Sequence, residues 1–141
     1  MAKGYTVRSV ILCDDIREEK SGKEILIGVY TSSIIFGQFP AKMPKLIFRI
    51  ALSIERADFK RVKAKIVDQD GKQLFSMDQP VGGLPPAASD EQILIGFAGT
   101  NLTFQEPAKY RLLFALDDEP EEIARFSVRG PNTDAEASRL V

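Results

Sequence analysis

Histidine and tryptophan are absent from this sequence, and cysteine occurs once, as Cys13. Without histidine there is no Ser-His-Asp or Cys-His catalytic arrangement and no histidine-based zinc site. One cysteine excludes an internal disulfide, and no CxxC pair exists to hold a metal. Catalysis would have to rest on carboxylates, lysines, tyrosines and one thiol. An excess of either charge is also missing, since 19 basic and 20 acidic side chains leave a net charge of −1. No global field draws the chain to nucleic acid or to an anionic membrane, so such a partner would need a local patch. The start, "MAKGYTVRSVILCDD", holds only a short apolar run before its acids. A secretory core needs roughly 7–15 apolar residues and a membrane span roughly 18 or more. A reduced, cytoplasmic setting is the expectation.

What is present reads as an ordinary globular chain: 141 residues, 44% hydrophobic and 28% charged. That length suits one domain able to bury roughly 68–70% of its unfolded surface. Period-two alternation dominates. In "LIFRIALSIER" the residues Leu46, Phe48, Ile50, Leu52 and Ile54 face one way, and Arg49, Ser53 and Glu55 the other. "VKAKIVD" repeats the device, with Val62, Ala64 and Ile66 inward and Lys63 and Lys65 outward. Asp70-Gly71 then supplies a tight turn into "KQLFSM". Further strands are expected near 5–14, 24–36, 92–104, 109–117 and 122–129. The run 24–36 is apolar on both faces, as in a central or covered strand. Gly28 and Gly37 suggest a bulge and an exit.

Eight short strands at regular spacing predict an antiparallel β-sandwich, all-β, with seven to nine strands over residues 1–130. The tail, 131–141, is either frayed or a short helix, since Thr133 and Glu136 have capping-box spacing. Residues 78–91 form the one long connection, near the upper limit for a structureless loop. Tyr110 follows a corner and stands two residues before Leu112. In immunoglobulin-like domains a corner tyrosine holds that position relative to the second core cysteine, so the pattern is that of a cysteine-free relative.

The chain as a whole resembles a group of small bacterial proteins of unknown function, each one β-sandwich domain. The residues that carry the likeness are Cys13-Asp14-Asp15, Gly22-Lys23, Gly28-Val29-Tyr30, Pro44-Lys45-Leu46, and Phe104 to Tyr110 with Pro107. The similarity runs from about residue 7 to 128, and Ala108 stands where that pattern has glycine after Pro107. The motifs are structural, so the resemblance implies a fold and no catalytic residues.

The stretch "ILCDDIREEKSGKEILIGVY" poses the sharpest question of function, because Cys13 lies beside Asp14 and Asp15. Cys13 falls in register with Ile11 and reads as a small buried hydrophobe. Neighbouring carboxylates oppose thiolate formation, which a nucleophile requires. Running the strands alternately up and down places 14–24, 55–62 and 117–122 at one end. Asp14, Asp15, Asp117 and Asp118 then become candidate ligands of a divalent cation or members of a carboxylate-based hydrolytic site. Arg17, Lys20, Arg56, Lys60 and Arg61 fall in the same loops, and the spacing fits no defined calcium loop.

"FKRVKAKI" reads as a wet strand face and an edge defence rather than a nucleic-acid site. "GGLPP" lacks the N–H groups and the lysine of a phosphate loop. Asn101-Leu102-Thr103 is a sequon by pattern inside an expected strand, best read as chance. A cluster of apolar residues at a strand exit, Phe36, Phe39 and Met43 with Leu84 of the long loop, is the candidate partner surface unless the domain covers it. The reading is therefore a non-enzymatic bacterial binding or assembly module with no cofactor. Its partner would be a protein or a second copy as a homo-oligomer, with no nucleic acid and no membrane. The rival is the divalent-cation or hydrolytic site at the acidic end.

Overall fold

The computed structural model describes residues 3–82, 92–132 and 134–138. Nine strands and a short helix are seen in them: β1 (Tyr5–Glu18), β2 (Glu24–Tyr30), β3 (Ser33–Ile35), β4 (Ala41–Ile54), β5 (Arg61–Asp68), β6 (Gln73–Pro80), β7 (Ile93–Phe104), β8 (Ala108–Leu116), β9 (Glu121–Arg129) and α1 (Asp134–Ser138). They form two sheets, a four-stranded one in the order β2-β1-β4-β7 and a five-stranded one in the order β3-β9-β8-β5-β6. The β-sandwich expected from the alternation is the fold. The pairing is antiparallel except for β3, which runs parallel to β9.

The inward faces are those the alternation indicated. Leu46, Phe48, Ile50 and Leu52 of β4 meet Leu112, Phe114 and Leu116 of β8, each fully buried, with Ala64 and Ile66 of β5 beside them. Two clusters fill the space between the sheets. One lies around Phe48, Phe104, Tyr110 and Phe126, the other around Tyr5, Phe59 and Phe114. Tyr110 stacks on Phe126 at 5.4 Å between centroids and meets Phe104 edge-on at 5.4 Å, so the expected corner tyrosine is a core residue.

The segment 24–36 departs from expectation. It is not one covered strand but two strands in different sheets, broken at Thr31 and Ser32. Its two apolar faces reflect that division: Ile34 enters the core, whereas β2 is an edge strand. β1 is also longer than expected and carries Asp14 and Asp15 within the strand. Gly28, opposite Asp14 in the β1–β2 register, has φ +68°. A side chain there would fall on the Asp14 carboxylate, which accepts a hydrogen bond from the Tyr30 hydroxyl. The C-terminal segment does form a helical turn, α1, while Thr133 and the Glu136 side chain lie outside the described residues.

Phe48→Ala should cost about 3–5 kcal/mol and lower Tm by roughly 10–17 °C. Phe36→Ala, at a half-buried position, should cost clearly less. Thermal melts of both variants check the ranking, and equal losses would contradict it.

Candidate functional site

The β2–β3 crossing decides which residues share an end of the sandwich. β1 is antiparallel both to β2 and to β4, so β2 and β4 run the same way. Glu18 pairs with Glu24 at one end of β1, and Tyr5 pairs with Ile54 at the other. The 55–60 loop joins the Tyr5 end, where Glu55 N–H donates to Gly4 O at 2.8 Å. The 117–120 turn is there too, with Asp117 N–H donating to Arg61 O at 3.0 Å and Lys3 paired with Glu121. The strands do run alternately up and down, but 24–36 counts as two of them, so every later connection falls at the end opposite to the one expected. Asp14 and Asp15 are not brought together with Asp117 and Asp118. Among the described residues no three Cys, Asp or Glu side chains are grouped to hold a metal ion.

Asp14, Asp15 and Asp117 each have a local partner. Asp15 Oδ1 accepts from Lys45 Nζ at 2.9 Å, and Arg17 Nε stands 3.5 Å from its Oδ2. The Lys45 hydrogen bond holds the Asp15 carboxyl below the usual range. Asp117 has φ +66°, and its Oδ1 accepts the backbone N–H groups of Lys60 at 2.9 Å and Arg61 at 2.8 Å. Partial desolvation pushes its pKa up, but those two N–H groups together with the Arg56 and Lys60 charges outweigh it, and the carboxyl titrates below its ordinary value. The Asp117 side chain therefore fastens the β8–β9 turn to the start of β5.

Cys13 is buried, as expected, but on the side of β1 away from the sandwich core. It pairs with Val29 and Ile47 while Leu12 and Phe48 point inward. Burial, and then the Asp14 and Asp15 charges, raise the thiol pKa. Burial and the Asp14 hydrogen bond push the Tyr30 phenol up as well. Neither group is an activated nucleophile or base at neutral pH.

The apolar cluster at the strand exit is covered by the domain itself. Met43 is buried, while Phe36 and Phe39 are half-buried, pack on the core and lie 5.9 Å apart edge to face. Leu84 lies outside the described residues. Phe36 is held 5.7 Å from Phe104, so the surplus of apolar side chains at this exit closes that end of the core. The lysines of "FKRVKAKI" are not an edge defence, because β5 lies between β8 and β6. They share the outer face with Arg111 and Arg125, and Glu122 lies 3.9 Å and 2.8 Å from those two arginines.

Large apolar side chains are exposed elsewhere. Beyond Cys13 the β1–β2 hairpin separates from β4 and bends over the outer face of the four-stranded sheet. There Glu24 Oε1 lies 3.2 Å from Arg49 Nη2, and Ile16 comes up to Gly96 of β7. A hollow of about 530 Å³ separates the hairpin from this face, lined by Ile16, Glu18, Glu24, Arg49, Leu94 and Gly96 among others. On the far side of the hairpin Ile25, Ile27 and Val29 are 46%, 41% and 52% exposed. They alternate along an edge strand with no charge between residues 25 and 30. Reading 24–36 as one covered strand concealed them. The available signal was the short charged turn before them, which makes β2 a hairpin arm.

The architecture is that of a two-sheet β-sandwich with an apolar open edge. The chain belongs to a family of unknown function, DUF6941, whose profile matches residues 8–129. No curated protein matches the chain.

Two outcomes test this geometry. Gly28→Ala should cost about 1–2 kcal/mol for the left-handed backbone alone, with a further loss from displacing Asp14, measured by urea unfolding. The lowered Asp117 pKa adds stability above the unfolded carboxyl value of about 4, and that stability is lost as pH falls through the lower folded value. Asp117→Asn should therefore unfold at lower urea than the parent at pH 7, with the gap closing as pH falls below the unfolded carboxyl value. A gap independent of pH would remove the charged interaction.

Proposed function

We propose that this protein is a non-enzymatic binding or assembly module of the bacterial cytoplasm, working through the open edge of β2. The observation that carries this reading is the stripe of Ile25, Ile27 and Val29, exposed on an uncharged edge that is unpaired among the described residues. Exposed edges are usually blunted by lysine, proline or a covering loop, because their free N–H and C=O groups recruit other strands. An edge that keeps branched apolar side chains instead suits strand addition, in which the main chain supplies affinity and alternate side chains supply specificity. The buried, protonated thiol of Cys13 and the locally paired carboxylates support a role without catalysis. The immunoglobulin-like character belongs to the same proposal. Its support is β3 running parallel to β9 and Tyr110 standing two residues before Leu112.

Among the described residues no three Cys, Asp or Glu side chains are grouped to hold a metal, which favours the edge over the carboxylate reading. The carboxylate reading needed Asp14 and Asp118 at one end, and they lie at opposite ends. A photo-crosslinking amino acid at position 27, introduced in cells, tests the proposal against the same probe at Thr6, which is also exposed. Specific adducts are expected at 27 and not at 6. If position 27 yields none, the edge is idle and the reading fails.

A further inference from the structure

We propose that the occupant of this edge is a second copy of the chain, its β2 paired antiparallel with the first across a two-fold axis at Ile27. This rests on the reading of β2 as the working surface and names its partner. The hydrogen-bond phase of the hairpin makes the pairing specific. Glu19 N–H donates to Lys23 O at 2.8 Å, so positions 19 and 23 form a bonded pair. Bonded and non-bonded pairs alternate in an antiparallel ladder. With Glu18 opposite Glu24 and Asp15 opposite Ile27, the N–H and C=O groups of Ile25, Ile27 and Val29 point toward β1. Those of Glu24, Leu26, Gly28 and Tyr30 point away from it, toward the open side.

A two-fold axis perpendicular to the sheet keeps like faces together, so paired positions have the same parity. Centring on Ile27 sets Ile27 against its own mate, Ile25 against Val29, Leu26 against Gly28 and Glu24 against Tyr30. The three exposed β-branched residues of each copy then cover those of the other, in the cross-strand pairs that stabilise sheets. No like charges oppose across the seam, since Glu24 meets a tyrosine and Asp15 and Arg17 stand one strand back. The other outer edge of this sheet is a poorer mate. β7 places one large exposed residue, Leu94, on the same outer side, but it is followed by Gly96, Ala98 and Thr100, too small to match a run of isoleucine and valine. Seven paired residues per copy make a seam at or below the roughly 1,200 Å² of weak, transient complexes. The dimer is accordingly weak and concentration-dependent.

Light scattering after size exclusion of the full chain, over a hundredfold range of concentration, reads the assembly directly. The expected mass climbs from 15.6 kDa toward twice that value, and Ile27→Lys weakens association at least tenfold. Ile27→Thr keeps a strand-forming residue and should weaken it less, which guards against a loss caused by misfolding. The register has its own test in a Cys13→Ala background. Ile27→Cys should form a disulfide dimer under mild oxidation, because non-bonded antiparallel pairs hold their Cα atoms about 4.5 Å apart. Ile25→Cys, about four residues from its own mate, should not. A monomer at every concentration, growth beyond a dimer, or crosslinking at 25 rather than 27 would each overturn the proposal. A monomer that still gives adducts of another mass at position 27 in cells would remove the self-pairing and leave the edge as a binding site. A monomer with no adducts would remove both.

Discussion

A column of aromatic rings ties the two sheets together, and the rest of the fold is arranged around it. Phe75 of β6 lies 6.2 Å from Phe97 of β7, which stacks at 5.2 Å on Phe48 of β4. Phe48 reaches Phe126 of β9 at 6.5 Å, and from there the contacts pass through Tyr110 and Phe104 to Phe36. Each such pair adds about 0.5–1.5 kcal/mol beyond the area it buries. More important is their placement, because Phe75–Phe97, Phe48–Phe126 and Tyr110–Phe104 join strands of different sheets, which share no hydrogen bonds. With a single cysteine there is no internal disulfide to fasten the sheets, and this packing holds them in one register.

The same packing explains why the chain crosses between sheets after Tyr30. Ile34 is buried and its neighbours Phe36 and Phe39 complete the aromatic end of the core, so the segment after β2 is drawn onto β9. β2 itself is left with one neighbour, β1. The consequence reaches every loop. Because 24–36 is two strands and not one, the 18–24 turn falls at one end while the 55–60 and 117–120 connections share the other. The carboxylates that looked like a cluster become two separate fastenings, Asp15 to Lys45 and Asp117 to the 60–61 backbone.

Function, on this view, follows from what the core does not use. The aromatic surplus near residue 36 is taken up by the domain, whereas the branched side chains of β2 are not. Gly28 and Asp14 shape that hairpin from within, and the bend over Arg49 holds it away from the sandwich core. A strand that is rigidly paired on one side and bare on the other is preorganised for a further strand. The ordering cost of binding is correspondingly reduced.

How much of this was legible beforehand differs by element. Leu46 to Ile54 and Val62 to Ile66 announced themselves as one-sided strands, because alternation at period two is a local property and leaves one choice of inward face. Tyr110 was likewise placed in the core by its neighbours, whereas Cys13 is buried as expected but on the opposite face of β1. The segment 24–36 was different: apolar on both faces, it fits a covered strand, an edge hairpin or two strands in separate sheets equally well. Only the competition among long-range partners, β1 for Ile25 to Tyr30 and β9 for Ser33 to Ile35, resolved it. The alternation in the sequence thus determined the sandwich and its inner faces. The tertiary structure decided which strand was left at the edge, and so which apolar residues face solvent, because strand order depends on packing between residues far apart in the chain.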